Sequence, residues 1–287
     1  MVGMRQASWG SGEDMIGSGE RARDSTPKPA TSARIYDYYL GGIHNFPADR
    51  EAARELIAKY PFLPAAARAN RAFLRRVVRH LATAGVRQFL DIGSGIPTEG
   101  NIHEIAQEVA PDSRVVYVDI DPDAVAESLE ILEGNERATA VRADLRTPGG
   151  VLEHRGVRRM LDFDQPVGLL LVAVLHFVPD DAEVYDAVAK LVAALAPGSY
   201  LVATHAAAEA FLPDGRRAIP DSVYRRQTST PGAVRNRSET EQFFTGLELV
   251  DPGVVWLHEW RPDPDDPAEF SDDPRHGGMW VGVGRKA

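Results

Sequence analysis

Gln88-Phe-Leu-Asp-Ile-Gly-Ser-Gly-Ile-Pro-Thr98 decides how the rest of this chain reads. A short apolar run reaches the carboxylate of Asp91 and then breaks at Gly93 and Gly95, the pattern of a strand followed by a tight turn. Glycines there adopt backbone angles that other residues avoid, and they leave room for a ligand beside the main chain. Two further apolar runs end in acid: Arg114-Val-Val-Tyr-Val-Asp119 and Ala140-Val-Arg-Ala-Asp144. Three acidic strand ends in this order describe a cleft for an adenosine cofactor. Asp119, with Ile120 beside it, can accept hydrogen bonds from both ribose hydroxyls. Asp144 could accept the exocyclic amine of adenine while Leu145 lines the base, or it could be an exposed turn. Asp121 reads better as the cap of the next helix. A dinucleotide fingerprint needs a third glycine where this chain has Thr98, which argues against a pyrophosphate across the helix start.

Outward from this core, strands alternate with helices. Strands are expected at 88–91, 115–118, 139–142, 167–173 and 199–204, and helices near 102–109, 123–132 and 180–195. Continuous apolar strands separated by helices indicate a parallel sheet covered on both faces. Leu247–Val250, Val254–Trp260 and Met279–Gly284 read as strands returning in an antiparallel hairpin. The expected fold is α/β and Rossmann-like, a seven-stranded, mostly parallel sheet with a C-terminal antiparallel hairpin and an N-terminal helical cap. Asp180 with Glu183, and Ser238 with Glu241, have the spacing of capping boxes.

Three segments follow from composition and periodicity. Residues 1–29, rich in Gly, Ser and charge and without a signal-peptide apolar core, are expected to be a disordered tail. Residues 30–84 carry three helical patterns, at about 31–40, 48–60 and 65–81, and form the cap. Residues 85–287 form the cofactor-binding domain, with an irregular insertion at about 206–237. In that insertion Arg216, Arg217, Arg225 and Arg226 could attract an acidic substrate or be ordinary surface.

The formal net charge of −10 disfavours a broad nucleic-acid surface. The absence of cysteine excludes disulfides, a thiolate nucleophile and cysteine metal ligands, and it fits the cytoplasm. No stretch is long and apolar enough to span a bilayer. The histidines show no His-Glu-x-x-His spacing, so no metal is expected; His258 and Glu259 fall in an expected strand, where neighbours face opposite sides.

At this point the chain resembles the class I methyltransferases that use S-adenosylmethionine. More narrowly, it resembles a family of S-adenosylmethionine-dependent methyltransferases common in actinomycete bacteria. The resemblance is carried by Thr31-Ser-Ala-Arg-Ile-Tyr-Asp-Tyr-Tyr-Leu-Gly-Gly-Ile-His-Asn-Phe-Pro-Ala-Asp-Arg50, by Phe62-Leu-Pro-Ala-Ala-Ala-Arg-Ala-Asn-Arg71, and by Asp91 to Thr98. Tyr117-Val-Asp-Ile-Asp-Pro122 and Ala143-Asp-Leu-Arg146 continue it. It implies S-adenosyl-L-methionine as cofactor, with Asp91, Gly93 and Gly95 around the methionine part, Asp119 at the ribose and Asp144 at the adenine. It also implies that Tyr36, Tyr39, Gly41, Gly42, His44 and Asn45 fold over the cofactor. Tyr36 and Tyr39 could instead be packing residues, and His44 a helix-flanking histidine.

Methyl transfer from a sulfonium is an in-line displacement that needs an aligned nucleophile and, for a protonated one, a base. Ala173 and Val174, at the end of strand four, would offer backbone groups to the methionine moiety. His176 is the candidate base, with a pocket-lining or structural role as alternatives. The expected substrate is a small molecule, with O-methylation ahead of N-methylation. The competing readings are a non-catalytic or regulatory cofactor-binding protein and a nucleic-acid methyltransferase, the latter opposed by charge. The oligomeric state stays open, a homodimer being one option.

Overall fold

The computed structural model describes residues 29–96, 100–212, 232–264, 266, 270 and 272–287. Residues 1–28 of the expected tail and the four arginines of the insertion fall outside them. Three helices come first: α1 (Ser32–Tyr39), α2 (Pro47–Lys59) and α3 (Leu63–Thr83). The Thr31 side chain caps α1, and prolines near the starts of α2 and α3 sit where a missing N–H costs nothing.

The alternating region follows as β1 (Gln88–Ile92), α4 (Ile102–Val109), β2 (Arg114–Asp119), α5 (Pro122–Ile131) and β3 (Ala138–Arg142). Then come α6 (Pro148–Leu152), α7 (Arg155–Met160), β4 (Gly168–Leu171), α8 (Asp181–Ala193) and β5 (Tyr200–Ala206). The chain continues with α9 (Ala208–Phe211), α10 (Arg237–Glu241), β6 (Glu248–Leu249), β7 (Val255–Trp256) and β8 (Met279–Arg285).

Among the described residues eight strands make one sheet in the order β3-β2-β1-β4-β5-β8-β6, with β7 also paired to β8. β6 pairs with Arg285 and Gly284, β7 with Val281 and Trp280, so the two short strands share one edge of β8 and the sheet has seven positions. β1 to β5 run parallel and β8 is antiparallel to β5. The order turns back at β1, flanked by β2 and β4, and a crevice opens at the carboxyl ends of such neighbours.

Alternation along the strands divides the core. Leu90, Val116, Leu169 and Leu171 face α8 and its neighbours, while Phe89, Val115 and Leu170 pack with Phe73, Val77 and Leu81 of α3. α3 is therefore one of the helical layers of the sheet as well as part of the cap. A small cluster of Ile35, Tyr39, Ala52, Ala53, Leu56 and Ala67 joins α1, α2 and the start of α3. Buried Arg34 ties it together, donating to Asp49 at 2.9 Å and to the Pro29 carbonyl at 2.6 Å.

Two local expectations are corrected. The capping box before α10 is Asn236 with Glu239, each side chain accepting the other's backbone N–H at 2.9 Å, and not Ser238 with Glu241. Arg235 bridges to Ala207 as extended chain, so the helix can start only after Asn236. His258 and Glu259 lie in a turn beyond β7, where Glu259 accepts the Trp256 N–H at 3.1 Å.

Candidate active site

A cavity of about 850 Å³ opens at the carboxyl ends of β1 to β4 and is roofed by α1, α3 and α9. Asp91, Gly93, Gly95, Asp119, Ile120, Asp144 and Leu145 line its floor; Ala173, Val174 and His176 line the wall beyond β4; Tyr36 and Tyr39 face it from α1. Twelve of the sixteen expected site residues thus meet in one place. Gly41, Gly42 and Asn45 border a shallower neighbouring groove, and His44 meets Glu127 of α5 at 3.0 Å. Within the segment expected to fold over the cofactor, Gly42 to Asn45 wrap Asp37. The Asp37 carboxylate accepts from His44 N and Asn45 Nδ2 at 2.9 and 2.8 Å, and any side chain on Gly42 would overlap it.

The glycine turn is buckled to the end of β2. Gly93 and Ser94 donate to the Val118 carbonyl at 2.7 and 3.2 Å, and Gly95 donates to Asp119 Oδ2 at 2.8 Å. Asp119 Oδ1 accepts from Asp121 N at 2.9 Å, and Asp121 itself caps α5. Each Asp119 oxygen keeps further acceptor capacity, as a carboxylate has about four lone-pair sites. Burial pushes the Asp119 carboxyl up from its ordinary value, against the pull of those backbone N–H groups. Asp91, also buried, is pushed up to about 7 by desolvation, with Arg71 opposing and Asp119 adding to the rise. Asp144 differs. Burial raises it, but the bidentate Arg146 guanidinium at 2.6 Å and the Arg146 backbone N–H at 2.9 Å together outweigh burial and leave it below the usual carboxylate range. An adenine amine would share this carboxylate with Arg146, a partner two residues away that local sequence could have revealed.

After β4 the chain bends sharply. Ala173 has φ +57°, a strained value for a residue with a side chain, and its N–H is held by Thr204 Oγ1 at 2.8 Å. His176 follows in a short 3₁₀ turn, and its Nδ1 has no hydrogen-bond partner. Behind it sits a group that sequence reading missed. Buried Arg235 donates to Asp181 at 2.7 Å and to His205 Nε2 at 2.7 Å, while His205 Nδ1 donates to the Ala206 carbonyl. The His205 ring stands 6.0 Å from that of His176. Desolvation, then the Arg235 charge, lowers the His176 pKa to about 4. His176 lies where expected, yet it is neutral and weakly basic, a poor base for an unactivated alcohol.

Asp119→Ala is expected to weaken S-adenosylhomocysteine binding by about 3 kcal/mol, on the order of 100-fold, because it removes charge-assisted bonds and frees the Gly95 N–H. Calorimetry on the folded variant checks this; unchanged affinity would remove Asp119 from the ribose.

The fold agrees with the comparisons. A family model described as S-adenosyl methyltransferase matches residues 19–287. A DUF574 family protein from Streptomyces avermitilis is similar at 43% identity and TM-score 0.83, over 90% of this chain and 98% of that one. A methyltransferase candidate from Thermobifida fusca is similar at 40% identity and TM-score 0.81, over 91% and 96%. No curated protein matches the chain. Among the described residues no helix is long and apolar enough to cross a membrane, and no group of three or more acidic, His or Cys side chains is placed to hold a metal.

Proposed function

The chain belongs to the S-adenosyl methyltransferase family, and on that premise we propose that it methylates an acidic oxygen of a small, largely apolar molecule. The roof over the sheet ends carries this reading. The cavity of about 850 Å³ is roofed by helices, within the roughly 300–1,000 Å³ typical of small-molecule pockets. Leu56, Tyr60, Leu63, Phe177, Phe211 and Met279 give its lining an apolar, aromatic character.

The bound cofactor supplies an electrophilic methyl group on a sulfonium. The residues of this chain prepare its binding and the nucleophile. Asp119 and the glycine turn offer acceptors and close backbone approach at the floor. Gly95 meets only Ala33 Cβ, at 3.8 Å, where a side chain would project, so the turn has space for a ligand. Burial first and the Arg235 charge second keep the His176 ring neutral, and that charge also favours an anionic or readily ionised oxygen beside it, a phenol, enol or carboxylic acid, over an ammonium. His176, neutral, then orients that oxygen through its ring nitrogen.

Methyl-labelled S-adenosylmethionine incubated with the small-molecule fraction of a bacterial extract tests the proposal. The expected label is in base-labile or aryl methyl–oxygen bonds. Label on nitrogen alone would convert the reading to N-methylation. Tight cofactor binding with no labelled product would favour a regulatory binder. With a substrate in hand, His176→Ala is expected to change S-adenosylhomocysteine affinity less than about threefold and to lower kcat by about 10²-fold. A parallel loss of cofactor affinity would place His176 in the cofactor pocket instead.

A further inference from the structure

The acidic floor occupies only one half of the cavity. Asp91, Asp119 and Asp144 stand at or just beyond the ends of β1, β2 and β3, and His176 follows β4. In the sheet order β5 and β8 come next, on the far side of β4. Ala206 and Met279, paired across these two strands, line the cavity there, with Gly278 beside them. Phe211 borders that end from α9, and Tyr60 and Ala66 border it from the helical roof. None of these lining residues bears a charge, in contrast to the floor.

Three aromatic rings gather at this end from separate parts of the chain: Tyr60 follows α2, Phe62 precedes α3 and Phe211 ends α9. The ring centroids of Tyr60 and Phe211 lie 5.1 Å apart and those of Phe62 and Phe211 5.3 Å apart, both edge to face. All three rings are half-buried, and none is part of the core clusters of the described residues. Core packing therefore does not account for them. A lone half-exposed ring needs no explanation, but a group of three at the edge of a cavity marks a surface that a ligand covers. The group is also held in place. Phe62 stacks on His276 at 5.8 Å. Gly278, at φ +71°, has no side chain to press on the Phe62 ring, which a Cβ there would approach to 3.1 Å.

An aliphatic wall grips any apolar group by area alone. Aromatic rings add a preference of geometry, because the negative face of one ring attracts the positive edge of another. We propose that Tyr60 and Phe211 form the wall for an aromatic ring of the methyl acceptor, whose ring lies over the ends of β5 and β8 and whose oxygen points back to His176. This rests on the methyl-transfer reading of the cavity. The span between the two ends is short. Ala206 follows His205, whose ring stands 6.0 Å from that of His176, and Phe177, 4.2 Å from the His176 ring, continues the aromatic lining to the reacting end.

Calorimetry on the S-adenosylhomocysteine-loaded protein with benzoate and cyclohexanecarboxylate tests the proposal. Both probes are ionised at pH 7 and have the same carbon count, and they differ in the character of the ring. Benzoate is expected to bind about 10-fold tighter. Tyr60→Leu and Phe211→Leu keep an apolar wall without the ring. Each is expected to cut the preference below about threefold and to leave S-adenosylhomocysteine affinity within about twofold, which also reports that the variant is folded. Equal affinity for the two probes in the unaltered protein would overturn the aromatic wall and leave the methyl-transfer reading standing, as would binding of neither probe by the loaded protein. An undiminished preference in both variants would remove Tyr60 and Phe211 from the acceptor. Loss of S-adenosylhomocysteine binding in a variant whose melting temperature is unchanged would assign that ring to the cofactor instead. Failure of the unaltered protein to bind S-adenosylhomocysteine would overturn the cavity reading itself, and the proposal with it.

Discussion

Gly93→Val is expected to abolish measurable S-adenosylhomocysteine binding and to lower the melting temperature. Gly93 has φ +76°, and a side chain added there would overlap the Val174 side chain beyond β4. Two costs combine: roughly 1–2 kcal/mol for a left-handed backbone at a non-glycine residue, and about 1–3 kcal/mol for overpacking. At roughly 2–4 °C per kcal/mol for a domain of this size, the melting temperature should fall on the order of 10 °C. Binding is lost because the turn must leave its place. Gly93 and Ser94 would give up the Val118 carbonyl, and Gly95 would lose its register on Asp119. The obstruction is thus protein against protein, with the ligand affected second. Normal binding by a folded variant would show that this turn does not approach the cofactor.

Asp91→Asn should weaken cofactor binding strongly while stabilising the ligand-free protein. The folded pKa of about 7, against an ordinary value of 3.8, arises first from burial. A raised folded pKa means that this group's favourable contribution is complete below about pH 4 and is lost as pH rises to 7. At pH 8 the ligand-free protein bears the whole penalty. For a difference of roughly three units that is about 4 kcal/mol as an upper bound. Thermal denaturation should therefore find the variant more stable at pH 8, with the gap closing towards pH 4. Calorimetry should find S-adenosylhomocysteine about 100-fold weaker, because the ammonium loses its charged partner. In the unaltered protein the affinity should be level above pH 7 and fall by about tenfold per unit below it, as a proton must first leave Asp91. An affinity independent of pH between 5.5 and 8 would separate Asp91 from the ammonium.

The legible part of the site was the part encoded locally. Asp91, Gly93, Gly95, Asp119 and Asp144 could be named because each ends an apolar strand of period two, and parallel strands bring their carboxyl ends together. Asp121 was readable as a helix cap from its place before Pro122. Gly41 to Asn45 were placed over the cofactor by the family resemblance, with which small and polar residues between helices agree in part. The same features serve equally well to wrap a buried carboxylate, here Asp37. The box before α10 was ambiguous in sequence, since Asn236 and Ser238 both precede a Glu by three; the bridge between Ala207 and Arg235 selects the first.

The sequence by itself determined the fold, the glycine turn and the acidic floor of an adenosine cleft, because these follow from periodicity and from motifs a few residues long, and the family resemblance added S-adenosylmethionine. Only the tertiary structure decided the electrostatics and the roof. Burial and the Arg235 charge, which the pairing of distant segments places behind His176, lower its basicity, and Asn70 and Arg71 line the cavity because α3 packs on the sheet. Burial and long-range charge depend on which segments meet, and no local pattern carries that information.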